Sequence, residues 1–222
     1  MTPSERLGRL YAGVIYDAMT FDLAYRHPFV LHPAIRPAWP PGDTAVCGPA
    51  FTCRGEPVRS SEHVDDFVRI EMLRSFTPGC VQVLDTGGDR SVAHFGDISG
   101  KLARRHGAVA LVTDGFTRDA RILERDRFPV YCTGIQPVDA FGRWQIVEHG
   151  RNVELPGADG RVRVRPGDLV FADADGVLVL PQELAAELCT YAERRLARED
   201  EVRRRLAASA DPEALYHEVG RW

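Results

Sequence analysis

The chain has 222 residues and a formal net charge of -4 at pH 7, and this length predicts a single domain spanning residues 1–222. Hydrophobic residues make up 44% and charged residues 27% of the sequence, as in average soluble proteins, which excludes a disordered tail, a collagen, a coiled coil and a disulfide scaffold. The weakly acidic charge, with arginines dispersed among acids, argues against nucleic acid and membrane surfaces as partners.

The cysteines and the first residues of the sequence indicate a cytoplasmic protein. The five cysteines are widely spaced and include no CxxC pair, a pattern that predicts neither a zinc ribbon nor a disulfide framework. No basic segment leads into an apolar run near residue 1, and no stretch approaches the roughly 18 apolar residues of a membrane span. We therefore expect reduced thiols and neither a targeting nor a transmembrane segment.

The first third of the chain predicts helix followed by extended structure. Apolar residues at helical spacing over residues 3–24 predict an amphipathic helix or a pair of helices. The proline-rich residues 33–43 predict an extended connection, and residues 44–53 are rich in strand-forming types. A polar loop is predicted over residues 54–66, and a helix over residues 66–76.

The middle of the chain predicts an alternation of strands and helices. Apolar runs that stop at glycines predict buried strands at residues 81–85 and 107–115, and a third strand begins within residues 128–134. Helices are predicted between them, at residues 97–106 and 118–126. This alternation is typical of an α/β fold with parallel neighbouring strands.

The last third predicts hairpins and one helix. Apolar and polar residues alternate over residues 161–181, with turn-forming residues interrupting them, which predicts antiparallel hairpins. Residues 181–209 predict one long terminal helix.

Several motifs that resemble catalytic sites have simpler structural interpretations. The tripeptide Asp85–Gly87 matches the aspartic-protease sequence, but that chemistry needs two adjacent carboxylates from two all-β lobes, so we interpret it as a strand end. Asp173 and Asp175 lack the remaining ligands of a calcium loop and predict a hairpin turn. The histidines, His94 among them, show no zinc-binding spacing, and His94 is interpreted as a packed or solvated side chain.

The most informative stretch is residues 94–122. Gly96 and Asp97 open a predicted helix, whose free N–H groups suit a small carboxylate. Arg118 and Asp119 follow a buried strand at its carboxyl end, where open α/β sheets bind ligands. An arginine at a helix N-terminus is electrostatically unfavourable unless an anion lies beside it, so Arg118 indicates an acidic ligand. The alternative is a purely structural ion pair between Arg118 and Asp119.

These residues carry a resemblance to a known family. The motif GDISGKLARRHGAVALVTDGFTRD at residues 96–119, followed by FPVYCTG, resembles the RraA-like family. Supporting segments are IRPAWPPGDTAVCGPAFT at residues 35–52 and RPGDLVFADADGVLVLP at residues 165–181. The resemblance implies a layered α/β domain of the swivelling β/β/α kind with a long C-terminal helix. It also implies a homotrimer or homohexamer whose active sites are shared between subunits.

The resemblance also implies a role for each site residue. Arg118 would bind the oxygens of a small 2-oxo acid, and Asp119 would ligate Mg²⁺ or Mn²⁺. Asp97 would contact the metal through water and move protons, and Glu199 of a neighbouring subunit would approach the metal. The backbone amides that would hold the substrate's carboxylate belong to Gly96, Asp97, Ile98 and Ser99.

The family includes 4-hydroxy-4-methyl-2-oxoglutarate aldolases, oxaloacetate decarboxylases and an RNase E regulator, so two classes of function stay open. The first is a metal-dependent lyase that releases pyruvate through an enolate, with oxaloacetate decarboxylation as a related activity. The second is a non-enzymatic regulator that binds a partner protein such as RNase E. A methyltransferase is disfavoured because no glycine-rich nucleotide loop follows the first strand.

Three positions bear on the mechanism and the substrate. Lys101 is the only lysine and hence the only residue able to form a Schiff base, but we expect it to be a solvated residue on its helix. Family aldolases often carry a lysine where this chain has Gly142 with Arg143 adjacent, and the loop at residues 54–66 also differs. These differences mean that this chain could recognise the distal carboxylate of the substrate in a different way from the family's aldolases.

Overall fold

A computed structural model describes residues 1–40, 42, 45–58, 67–208 and 211–219. The helices are α1 (Pro3–Leu7), α2 (Ala12–Asp17), α3 (Phe67–Arg74), α4 (Asp97–Arg105), α5 (Ala120–Arg125), α6 (Ala185–Ala207) and α7 (Pro212–Val219). The strands are β1 (Arg36–Pro37), β2 (Val46–Pro57), β3 (Val81–Asp85), β4 (Ala93–Phe95), β5 (Ala110–Thr113), β6 (Phe116–Thr117), β7 (Val130–Cys132), β8 (Gly134–Ile135), β9 (Trp144–His149), β10 (Val153–Pro156), β11 (Arg161–Val164), β12 (Leu169–Ala172) and β13 (Val177–Leu180).

The largest sheet contains eight strands in the order β1-β7-β5-β3-β2-β12-β13, with β9 also paired to β2. The neighbours β2, β3, β5 and β7 run parallel, as the alternation of strands and helices predicts. β12 and β13 form an antiparallel hairpin beside β2. Every residue of β3 and β5 is buried, which explains why these strands are continuous apolar runs. The predicted α/β class is confirmed.

Two smaller sheets complete the fold. β10 and β11 form a separate antiparallel hairpin, and β4, β6 and β8 form a short parallel sheet. β4, β6 and β8 each follow one of the parallel strands β3, β5 and β7 in the chain. This small sheet therefore lies beyond the carboxyl ends of those strands, the edge at which open α/β sheets bind ligands.

The helices α1, α2 and α6 cover the β12–β13 hairpin. Leu7, Ile15, Phe171, Leu180 and Leu188 are fully buried in the cluster between them. Burying each such side chain stabilises the fold by about 1.5–3 kcal/mol. The buried residues of α6 lie mainly in its first half, so this half is the part that anchors the long terminal helix.

The helices α4 and α5 pack against one face of the parallel strands, and the β10–β11 hairpin covers the other face. Phe95, Leu111, Leu123 and Phe128 form a buried cluster to which α4 and α5 contribute. Gly100 of α4 permits the close approach of α5, since a Cβ at this glycine would lie 2.7 Å from Leu123 Cδ2. This packing brings the first turn of α4 next to the chain that precedes α5.

The structure differs from the predictions for two segments in the first third of the chain. The helical residues 3–24 form α1 and α2, followed by a π-helical turn at Ala18–Asp22. The polar loop does not begin at residue 54, because β2 extends to Pro57 and pairs there with β9. β9 has no counterpart among the predicted strands. Residues 59–66 of the predicted loop lie outside the described residues.

The predicted long helix over residues 181–209 is confirmed as α6, which spans Ala185–Ala207. A short 3₁₀ turn at Gln182–Leu184 precedes it, and a further helix, α7, follows it beyond the predicted range. Asp211 caps α7, because its carboxylate accepts a hydrogen bond from the N–H of Ala214. Among the described residues no helix combines the length and the apolar character that crossing a membrane requires.

Candidate functional site

A cavity of about 380 Å³ lies beside β4 and the start of α4. Its polar wall is formed by the first turn of α4 and by the connection from β6 to α5. The predicted site residues that line it are Gly96, Asp97, Ile98, Ser99, Arg118 and Asp119. The structure therefore brings all the predicted residues of the 96–119 motif to one cavity.

Gly96 makes room for the carboxylate of Asp119. A Cβ at Gly96 would lie 2.6 Å from Asp119 Oδ2, closer than real Cβ contacts, and a tight 3.2 Å from Arg118 Nε. The N–H of Asp97, the first residue of α4, donates a hydrogen bond of 3.2 Å to the same Asp119 oxygen. The start of α4 thus binds one carboxylate of the protein itself, as helix N-termini favour anions.

Asp119 has an unusual backbone conformation. Its φ of 58° lies in the left-handed region, which costs energy for residues other than glycine and occurs often at functional sites. Asp119 precedes α5 but its side chain does not cap that helix. The carboxylate instead faces α4 and lines the cavity, and its side chain is one-third exposed.

Arg118 lies between two carboxylates. Its Nε is 3.4 Å from Asp119 Oδ2, and a terminal nitrogen is 3.3 Å from Asp139 Oδ2. The structural ion pair of Arg118 with Asp119 is therefore present. The Arg118 side chain remains one-third exposed and lines the cavity, so the pair is compatible with binding an anionic ligand as well.

Asp139 is a site residue that the sequence analysis does not identify. The N–H of Phe141 donates to its carboxylate at 3.2 Å, and this bond, with the nearby Arg118, lowers the pKa of Asp139. Asp139 follows β8, and no glycine stop, helix cap or recognised motif in the sequence indicates that it belongs to the site. Its only signal is spatial, a bridge between its backbone and that of Ala93 in β4.

Asp97 and Lys101 form an ion pair one helical turn apart. Lys101 Nζ donates to Asp97 Oδ2 at 2.8 Å, and this bond lowers the pKa of the Asp97 carboxyl and raises the pKa of Lys101. At neutral pH Asp97 is a carboxylate that can accept a proton, whereas Lys101 is an ammonium ion. Lys101 is more than half exposed and is absent from the cavity lining, as expected for a solvated residue.

His94 is a packed side chain. Its Nδ1 accepts a hydrogen bond from the N–H of Phe116 at 3.3 Å, so in the neutral ring the hydrogen lies on Nε2. Burial lowers the pKa of His94, and the ring packs edge-on against Trp144 with 4.7 Å between centroids. His94 is therefore neutral at neutral pH, and its position supports packing over catalysis.

The remainder of the cavity is mainly apolar, with Arg69, Gln82 and Gln145 also in its lining, and comes from elements outside the motif. Met72 and Leu73 of α3, Leu84 of β3, and Trp144 and Ile146 of β9 line this part. Arg143, adjacent to β9, is exposed and is not among the residues that line the cavity. The described structure thus leaves this arginine outside the site.

Glu199 lies in a different cavity of the same chain. That cavity is lined by residues of α2, α6 and the β12–β13 turn. The hydroxyl of Tyr11 and the guanidinium of Arg203 donate to Glu199 Oε2. Within one chain Glu199 does not join Asp119, and its action from a neighbouring subunit stays a prediction.

Two of the simpler interpretations agree with the structure. The turn that follows β3 is held by the buried Asp114, which accepts hydrogen bonds from the N–H groups of Thr86 and Gly88. Asp173 accepts from the N–H of Asp175 in the β12–β13 turn. Among the described residues, no group of three or more His, Cys, Asp or Glu side chains could hold a metal ion.

Comparison with known proteins identifies relatives of this chain. A family model described as "RraA-like: Aldolase/RraA" matches residues 13–179. A protein of Halalkalibacterium halodurans named "Putative 4-hydroxy-4-methyl-2-oxoglutarate aldolase" is 34% identical over 160 residues, which are 72% of this chain and 70% of that protein.

Solved structures share the fold. An uncharacterized protein from Pseudomonas syringae has a TM-score of 0.81 at 24% identity, with 96% of this chain and 91% of that chain covered. Streptomyces coelicolor RraAS2, described as an unusual member of the RNase ES inhibitor RraA family, has a TM-score of 0.75 at 27% identity. That match covers 90% of this chain and 95% of RraAS2.

Proposed function

This chain belongs to the RraA-like family of aldolases and RraA proteins, and from that premise we propose that it is a metal-dependent carbon–carbon lyase. The proposed reaction cleaves a 4-hydroxy-2-oxo acid, such as 4-hydroxy-4-methyl-2-oxoglutarate, to pyruvate and a second carbonyl compound. The observation that supports it is the meeting of Arg118, Asp119 and the first turn of α4 in one cavity. This arrangement offers a cation, a carboxylate and backbone donors to a small 2-oxo acid.

The residues present fit Mg²⁺ or Mn²⁺ as the metal. The carboxylates of Asp119 and Asp97 supply hard oxygen ligands, which these ions prefer. Because Mg²⁺ usually keeps several waters and takes one or two protein carboxylates, Asp119 suffices as the direct ligand, with Asp97 acting through water. When bound, such an ion would act as a Lewis acid toward the negative charge that develops on the 2-oxo acid.

Each polar group of the site would have a separate role in the cleavage. Arg118 would bind the substrate's carboxylate and oxo oxygens with a permanently charged, planar donor group, while the N–H groups at the start of α4 hold the same carboxylate. The C3–C4 bond breaks and its electron pair remains on C3 as an enolate. Asp97, ionised at neutral pH, would accept the proton of the 4-hydroxyl group, and C3 regains one proton to give pyruvate.

The same enolate would form when the 4-carboxylate of oxaloacetate leaves as carbon dioxide. We therefore include oxaloacetate decarboxylation in the proposed activity. Its measurement is pyruvate release from oxaloacetate above the spontaneous rate, with and without Mg²⁺.

We further propose a homotrimer or homohexamer in which Glu199 acts on the metal held by Asp119 of a neighbouring subunit. Because Glu199 lies in a separate cavity of this chain, it could approach the metal only from another subunit. A carboxylate beyond the direct ligands would orient the waters of the metal.

The decisive experiment measures pyruvate release with and without exhaustive chelation. We expect chelation to abolish activity and Mg²⁺ to restore it, and we expect Asp119→Ala to lower kcat/KM by more than about 100-fold in a folded protein of unchanged oligomeric state. Glu124→Ala is the control, because it removes a negative charge from α5 at an exposed position outside the cavity. Full turnover after chelation would contradict the proposal.

A non-enzymatic regulator is the second candidate, and the similarity to RraAS2 favours it. Such a protein would bind a partner such as RNase E and need no metal. It would release no pyruvate from any 2-oxo acid, and Asp119→Ala would leave partner binding unchanged.

A further inference from the structure

The cavity that contains Asp119 has a second half of different chemistry. Its first half is polar and consists of the start of α4 with Arg118 and Asp119. Its second half lies between α3 and the strands β3 and β9. The apolar side chains that line it are Met72, Leu73, Leu84, Trp144 and Ile146.

The cavity is larger than pyruvate requires. Its volume of about 380 Å³ lies within the roughly 300–1,000 Å³ of pockets that bind drug-sized ligands. Pyruvate is far smaller than such ligands. If the 2-oxo acid group lies at Arg118 and Asp119, the apolar half is left for whatever the substrate carries beyond C3.

The apolar half offers little to a second carboxylate. The amide of the buried Gln82 already contacts Cys53 Sγ at 3.5 Å and Met72 Sδ at 3.9 Å. Arg69 is the one cationic side chain among the described residues that line this half, and it has interactions within the protein. A carboxylate placed against Leu73 and Ile146 would lose part of its hydration without a matching partner among the described residues, which is unfavourable.

We propose that the substrate of this site carries an uncharged aryl or branched alkyl group on C4, which packs against the partly exposed side chains of Leu73 and Ile146. The inference rests on the proposed lyase function and narrows its substrate class, because the preferred substrate would lack the C4 carboxylate of 4-hydroxy-4-methyl-2-oxoglutarate. Cleavage of the C3–C4 bond leaves the electron pair on C3, the 4-hydroxyl loses its proton to become a carbonyl, and C3 gains one proton. The products are pyruvate and an apolar aldehyde or ketone.

The first experiment measures binding without turnover. 2-Oxo-4-phenylbutanoate and 2-oxoglutarate share the 2-oxo acid group, and neither has the 4-hydroxyl that cleavage needs. By calorimetry with Mg²⁺ present we expect the phenyl compound to bind at least about tenfold more tightly, since burying a ring is favourable by more than 1.4 kcal/mol. Tighter binding of 2-oxoglutarate, especially if Arg69→Gln removes it, would overturn the inference.

Variants on one strand provide the matched test. Ile146→Ala removes apolar surface from the cavity and should weaken the binding of the phenyl compound by about fivefold or more. The affinity for 2-oxoglutarate should not change. Val147→Ala, the next residue of β9 and not part of the cavity lining, should leave both affinities unchanged. Equal effects of the two variants would contradict a role for Ile146 in binding the substituent.

Turnover separates this inference from the proposed function. Pyruvate release is compared for 4-hydroxy-2-oxo-4-phenylbutanoate and 4-hydroxy-2-oxoglutarate. Faster release from the phenyl compound supports both claims, and faster release from the dicarboxylate supports the lyase but refutes the apolar substituent. A binding preference for the phenyl compound without pyruvate release from either one refutes the lyase and supports the apolar half as a ligand site.

Discussion

Replacing Gly96 with alanine tests whether the position of Asp119 controls the site. Gly96 has a φ of -147°, a backbone conformation that alanine adopts without strain. The added Cβ would lie 2.6 Å from Asp119 Oδ2, about 0.8 Å short of the distance at which ordinary contact begins. The carboxylate must therefore move by nearly 1 Å, and Arg118, whose Nε lies 3.2 Å from the same Cβ, must adjust with it.

A displacement of this size predicts a large loss of activity and a small change in stability. A misplacement of about 1 Å at a catalytic centre lowers rates by about 100-fold, which is about 2.7 kcal/mol of transition-state stabilisation. The atoms that would clash belong to side chains that are one-third exposed, so they can yield without disturbing the core. Because alanine also restricts the unfolded chain by about 0.4–1 kcal/mol, we expect the Tm of Gly96→Ala to change by less than about 4 °C.

Gly100→Ala is the matched control on the same helix. Its Cβ would lie 2.7 Å from Leu123 Cδ2, a clash of similar size against the buried core instead of the site. Overpacking of this kind costs about 1–3 kcal/mol, which lowers Tm by about 2–12 °C in a chain of this length. Because Gly100 also sets the distance between α4 and α5, we expect kcat/KM to fall as well, but by less than in Gly96→Ala. Pyruvate release coupled to lactate dehydrogenase and thermal unfolding measure both quantities. Wild-type kcat/KM in Gly96→Ala would refute the argument.

Three further predictions follow from the same structure. Lys101→Arg keeps a cation beside α4 and should retain most activity, and borohydride should trap no pyruvate adduct; a stable mass increase on Lys101 would instead indicate Schiff-base catalysis. A mixture of inactive Asp119→Ala and Glu199→Ala chains, unfolded and reassembled together, should regain part of the activity, and no recovery from verified mixed oligomers would remove Glu199 from the site. Burial raises the pKa of all five thiols, to about 12 for Cys47 and Cys53, so at pH 7.5 iodoacetamide should label the folded protein slowly and leave activity intact. Rapid labelling of one thiol with loss of activity, followed by mass spectrometry, would contradict this.

The parallel part of the fold follows from local patterns in the sequence. β3 and β5 are continuous apolar runs that stop at glycines, as expected for strands that are buried on both faces. In the structure α4 and α5 cover one face and the β10–β11 hairpin covers the other. β9 could not be predicted in this way, because its residues show no regular alternation and it is stabilised by pairing with the distant end of β2. The separate helix α7 has a local signal, Asp211 followed by Pro212, that is typical of a helix start.

The polar half of the cavity also follows from a short stretch of the sequence. Gly96 and Asp119 are joined by a single helix–strand unit, so the turn at each end of that unit brings them together once α4 packs on α5. Asp139 meets Arg118 only through the small sheet of β4, β6 and β8. Pairing of two-residue strands leaves no periodicity in the sequence, and this contact therefore requires the structure.

The two halves of the cavity have different origins in the chain, and this difference bears on substrate choice. The groups proposed to act on the 2-oxo acid lie within residues 96–119, whereas the apolar half is assembled from α3, β3 and β9. A substitution at Leu73 or Ile146 changes the surface that faces the substituent on C4 without altering the contacts of Asp119 with Asp97 or Arg118. If the proposed lyase function holds, the motif would determine which bond is cleaved, and the residues around it would determine which substituent on C4 is accepted.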